Sequence, residues 1–203
     1  MKQHFQQLRQ FYRGNFSHWF FITSVSFVVL ILLCFFLGLA DPDLPEFVMN
    51  WFSESVDELG VVDEMGNFSA IALFFNNLRA MVVGMSLGFL PFIYISALPM
   101  GVNSMLLGVF AAFYVNHHTP LSLYFAALFP HALFELPAMI ISFTCGLYLC
   151  HIVTDFVRSN QKGLIKYAVI DVLRVLLLNI VPLLIVAAVL ETYATPAFLE
   201  LFR

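Results

Sequence analysis

The chain has 203 residues, of which 61% are hydrophobic and 11% charged, with a formal net charge of −4. A soluble domain carries about a quarter of its residues as Asp, Glu, Lys and Arg, so this composition excludes one and makes lipid the expected solvent. Nucleic-acid binding is excluded as well, because the basic residues are few and scattered and no phosphate-cradling glycine loop occurs.

Residues 1–18 set Lys2, Arg9 and Arg13 among Phe and Tyr side chains, a mixture that suits a cytoplasmic arm at the headgroup level. From Trp19 to Ala40 the chain runs 22 residues without a charge, enough for a helix to cross a hydrocarbon core of about 30 Å. A cleaved signal peptide would also follow basic residues, but its apolar core is only about 7–15 residues long, and here further spans follow. Asp41-Pro42-Asp43-Leu44-Pro45 ends helix 1, since proline removes backbone donors and restricts the residue before it.

Residues 41–68 form an acidic segment with eight acids and no base between Asp41 and Glu64. Phe47, Val48, Trp51, Phe52, Val56, Leu59 and Val62 recur there at three- and four-residue spacing, which predicts an amphipathic interfacial helix over Pro45 to Met65. Helix 2 is expected from Ser69 to Leu90 and helix 3 from Leu98 to Val115, with a turn at Asn116-His117-His118-Thr119-Pro120. The uncharged stretch from Leu121 to His151 would be about 46 Å long as one helix, so Pro130 is the expected break. Leu121 to Phe129 would then be a half-helix or an interfacial stretch, and helix 4 would follow it. A basic loop (152–166), helix 5 (167–190) and a C-terminal tail (191–203) complete the chain.

The reading is thus a single integral membrane domain over residues 1–203, an all-α polytopic bundle of about five spans. Lys and Arg favour the cytoplasmic side of a membrane. A basic N-terminus inside puts the acidic segment outside after one crossing, and three more return Arg158, Lys162 and Lys166 to the inside. The C-terminal tail is then extracytoplasmic.

Charges inside the spans are costly, at least about 2.5 kcal/mol on insertion scales, so each needs a partner, water or a role. Arg79 in helix 2 and Glu135 in helix 4 stand out, because positions 80–134 between them carry no Asp, Glu, Lys or Arg. His131 and Glu135 share a helix face at four-residue spacing, as Asn76 and Arg79 do at three. An Arg79–Glu135 pair with the amides and His131 around it is the expected polar cluster. One His and one Glu fall short of the three ligands a metal site needs, and the paired histidines of the HExxH zinc signature are missing. No catalytic residue, metal or cofactor is predicted. Asp171 and Arg174, three apart, are expected to pair locally. Cys34, Cys145 and Cys150 lie in apolar stretches and give no disulfide framework.

Small residues mark close helix approach. Gly84 and Gly88 form a GxxxG, and Ser104 with Gly108 repeats the small-xxx-small spacing, within one protomer or across a homodimer.

The segment from Ile71 to Leu149 resembles the stage II sporulation protein M family. The resemblance rests on Phe75-Asn76-Asn77-Leu78-Arg79, Gly84, Gly88, Asn103, Gly108, the run His131-Ala132-Leu133-Phe134-Glu135-Leu136-Pro137-Ala138, and Gly146. The family usually has Asn-Gly where this chain has Asn103-Ser104, and His-Gly where it has His131-Ala132. The resemblance implies a multi-pass protein of a bacterial or archaeal cytoplasmic membrane, without catalysis of its own. It also implies assembly with membrane or envelope proteins in envelope or cell-wall remodelling, and it makes Asn76, Asn77, Arg79, Asn103, His131 and Glu135 motif residues. Two alternatives stay open: a transporter, channel or permease subunit with Arg79, His131 and Glu135 lining a path, and an intramembrane enzyme using Glu135 or His131 as acid or base. The first requires a water-accessible cavity, the second a third convergent group.

Overall fold

Backbone amides buried in hydrocarbon must find partners within their own segment, which leaves the helix as the element open to chains of this composition. A computed structural model describes residues 6, 8, 10–59, 69–159 and 163–200, with the side chains at 15, 55–59, 127, 130, 131 and 193–200 outside the description. A π-helical turn at Tyr12–Phe16 leads into α1 (Ser17–Ala40), α2 (Asp43–Leu59) and α3 (Ala70–Ser86), which tightens into a 3₁₀ turn at Leu87–Phe89. Then come α4 (Ala97–Asn116), α5 (Leu121–Ser159), α6 (Leu164–Val175), a π turn at Leu176–Ile180, and α7 (Val181–Glu200). No strand occurs among the described residues.

Five segments are long and apolar enough to cross a membrane: Ser17–Ala40, Ala70–Phe89, Ala97–Asn116, Ala132–Ser159 and Leu164–Thr192. These are the five predicted spans, with most ends shifted by a few residues and the fourth running on to Ser159, eight residues into the stretch expected as a basic loop. The last combines α6, the π turn and the start of α7.

The central helix is α5, which packs against α1, α3, α4, α6 and α7. It is also where the expectation differs from the structure. Helix 4 does not break at Pro130: α5 runs unbroken for 39 residues, about 58 Å of helix. A proline ten residues into a helix removes one backbone bond but forces no break where neighbouring helices support the turn. Here the Tyr124 hydroxyl donates to the Leu107 carbonyl at 2.8 Å, tying the first turns of α5 to α4.

Glycines set the closest approaches. A Cβ on Gly108 of α4 would strike the Ile31 carbonyl oxygen of α1 and lie 2.8 Å from the Phe35 nitrogen. A Cβ on Gly88 would strike the Gly146 carbonyl oxygen, and one on Gly146 would lie 3.0 Å from the Gly84 carbonyl oxygen. Of the predicted GxxxG, Gly88 is in tight contact, whereas a Cβ on Gly84 would make ordinary contact with Pro99 at 3.7 Å. Ser104 is fully buried and donates to the Met100 carbonyl in its own helix. Each of these contacts lies within one chain.

The α1–α2 turn is held by the Asn116 amide, which donates to the Gly38 carbonyl at 3.0 Å. From there α2 folds back over α4, burying Val48 and setting Phe52 edge-on to Phe110 at 5.1 Å, while Phe47 stays 70% exposed. The amphipathic helix predicted to Met65 is described as far as Leu59, and its last part lies outside the described residues. At the other end of the bundle the N-terminal turn inserts: Phe16 is buried and Phe11 meets Tyr148 edge-on at 5.2 Å. Arg174 donates to Asp171 at 2.7 Å, the local pair that the three-residue spacing predicts.

Candidate functional site

The Ser69 hydroxyl caps α3 by accepting from the Ala72 amide. From that start, helical periodicity turns Leu73, Asn76, Asn77 and Ala80 to one face, and all four line a cavity of about 480 Å³. Opposite them α4 contributes Asn103, Leu107 and Phe110, α5 contributes Tyr124, Ala132, Glu135 and Met139, α2 contributes Phe52, and α7 contributes Glu191.

Most of this wall is hydrocarbon, so the polar groups decide what it can hold. The Asn103 amide donates to the Pro99 carbonyl at 2.8 Å, and Tyr124 is occupied by Leu107. Asn76, Asn77, Glu135 and Glu191 line the same space, and among the described residues none of their side chains makes a hydrogen bond or an ion pair. Glu135 is half-buried, and Glu191 is close enough for its charge to be felt at the Glu135 carboxyl.

The cavity therefore brings together four of the six predicted polar residues: Asn76, Asn77, Asn103 and Glu135. Arg79 is not among them. It is exposed, and the expected Arg79–Glu135 pair is not made. The reason is angular: at about 100° per residue, Arg79 lies roughly a third of a turn around α3 from the cavity face. The His131 side chain lies outside the described residues.

Glu191 and Tyr124 are cavity residues that the sequence reading did not select. Glu191 falls one position past the predicted end of helix 5, in the expected tail. Its signal is that no other Asp, Glu, Lys or Arg lies between Arg174 and Glu200. Tyr124 carries no sequence signal beyond a hydroxyl in an apolar run. The donor set is two carboxylates and three amides, and among the described residues no group of three His, Cys, Asp or Glu is placed to hold a metal ion.

Comparison with known proteins agrees with the motif resemblance. A protein of Methanocaldococcus jannaschii described as uncharacterized is 26% identical over 176 residues, covering 83% of this chain and 93% of its own length. No solved structure matches the chain. The family described as Stage II sporulation protein M matches residues 19–196, a stretch that takes in the first span from Trp19 on, the other four whole, and every described residue of the cavity. The chain therefore belongs to the stage II sporulation protein M family.

Proposed function

We propose that this chain is a solute-binding, transporter-type component of a cytoplasmic-membrane assembly, with its ligand held among α3, α4, α5 and α7. The observation that carries this reading is the convergence of Asn76, Asn77, Glu135 and Glu191, with no hydrogen-bond or ion-pair partner among the described residues, on one cavity. Polar side chains inside an apolar span that do not pair with the protein need water or a ligand, and here four half-buried ones face one space. A seam of interhelical glue would pair them with each other instead. With the N-terminus cytoplasmic by the positive-inside rule, the cavity belongs to the extracytoplasmic half, beside α2.

Cysteine accessibility tests this reading. In a Cys34→Ala background, where Cys145 and Cys150 are fully buried, Asn77→Cys is expected to react quickly with a small water-soluble thiosulfonate. Ser142→Cys, at a fully buried position, is expected to stay unreactive. Equal protection of both would make the cluster a sealed contact and reject the reading.

A second observation favours assembly with other membrane proteins. Arg79 stands exposed midway along the span Ala70–Phe89 with no ion-pair partner among the described residues. A carboxylate on a neighbouring membrane helix would offset its cost. This supports placing the chain in a complex, with envelope remodelling the process that the family resemblance implies.

A further inference from the structure

We infer that the cavity takes an organic ammonium ion, a protonated or quaternary amine carried on an apolar body. The inference rests on the solute-binding reading and names the class of solute. Three features of the wall select it. The first is charge: Glu135 and Glu191 both border the space, and among the described residues no Lys or Arg does. An anion would meet repulsion from both carboxylates, while a cation would satisfy them. The second is size. A space of about 480 Å³ falls in the range of small-molecule pockets, about 300–1,000 Å³, and is far larger than the shell of oxygen donors that a bare metal ion needs at about 2.0–2.6 Å.

The third feature is the wall itself. Leu73, Leu107 and Met139 offer hydrocarbon to an alkyl body, and Phe52, Phe110 and Tyr124 put aromatic rings at the α2 end of the cavity. Ring faces attract alkylammonium groups, and a carboxylate beside them strengthens the site. The Asn76 and Asn77 amides, each with a carbonyl oxygen not engaged by any described residue, supply neutral acceptors for the remaining ammonium hydrogens. Such a cation could be a soluble amine or the ammonium group of a lipid headgroup.

The test uses the full chain in phosphatidylglycerol nanodiscs, whose lipid carries no amine, with radiolabelled hexylammonium as probe and binding to empty nanodiscs subtracted. Saturable binding that hexanol, the neutral molecule of similar body, does not displace is the expected result. Glu135→Gln and Glu191→Gln are each expected to weaken it about tenfold, the loss of one charge-assisted contact. The charged-against-neutral comparison on the unmodified protein stands whether or not those variants fold. Replacing the lipid with phosphatidylethanolamine identifies the source. Weaker probe binding there upholds the ammonium site with a headgroup as occupant, and unchanged binding upholds it with a soluble amine.

Hexylammonium binding no tighter than hexanol would overturn the inference. If Asn77→Cys is nevertheless reactive, the solute-binding reading survives with a different ligand class. If Asn77→Cys is also protected, both fail together.

Discussion

Replacing Gly108 with leucine is expected to leave almost no folded protein in the membrane. A side chain there must displace the Ile31 carbonyl oxygen and the Phe35 nitrogen of α1, and helix backbone cannot swing aside as a flexible side chain can. Overpacking a well-filled core costs about 1–3 kcal/mol and more when backbone must move, against a total stability of only about 5–15 kcal/mol. The damage spreads because α1 and α4 form the most extensive helix pair in the bundle. Gly101→Leu, seven residues earlier on the same helix, is the matched control, since nothing lies within 4 Å of the added Cβ. Unfolding titration of the two variants in mixed micelles is expected to show a large loss for Gly108→Leu and a near-neutral change for Gly101→Leu. Equal losses would mean that helix propensity, not close packing, governs both sites.

Arg79→Leu is expected to separate two properties that usually change together. Removing a guanidinium from the middle of a span makes insertion of α3 more favourable by at least about 2.5 kcal/mol on insertion scales. The cavity should be untouched, because Arg79 does not line it. Assembly should fail, because the lost charge is the one that a partner carboxylate would meet. Capture from gently solubilised native membranes is therefore expected to lose membrane-protein partners that the unmodified chain retains. Expression and melting should hold or improve. A variant that keeps all its partners would show that Arg79 reaches headgroups or water on its own.

The five spans were legible because an apolar run of about 20 residues with few charges has few other physical explanations. The polar cluster was legible in composition but not in pairing. Depth along a helix can be counted from its ends, and that counting suggested Arg79 with Glu135. Direction around the helix decides contact, and α3 turns Asn76 and Asn77 inward while Arg79 turns out. Glu191 was missed for a related reason. An acid beside the end of an apolar run reads as the start of a tail, whereas α7 continues to Glu200.

Proline chemistry favoured a break at Pro130, but α5 continues through it, with its first turns tied to α4 by the Tyr124 hydroxyl. Small residues showed where helices touch but not which helices do. Gly88 meets Gly146 in α5, and Gly108 meets α1, so at both sites the close approach lies inside the protomer.

The central claim is that the four polar side chains surround an occupied or hydrated space rather than one another. An electron cryomicroscopy map of the full chain in lipid nanodiscs tests it most directly. Non-protein density, as ordered water or a bound group, within hydrogen-bonding distance of Glu135, Glu191, Asn76 and Asn77 is the predicted result. A closed contact, with Met139 and Phe110 filling the space and the four side chains bonded to each other, would contradict it.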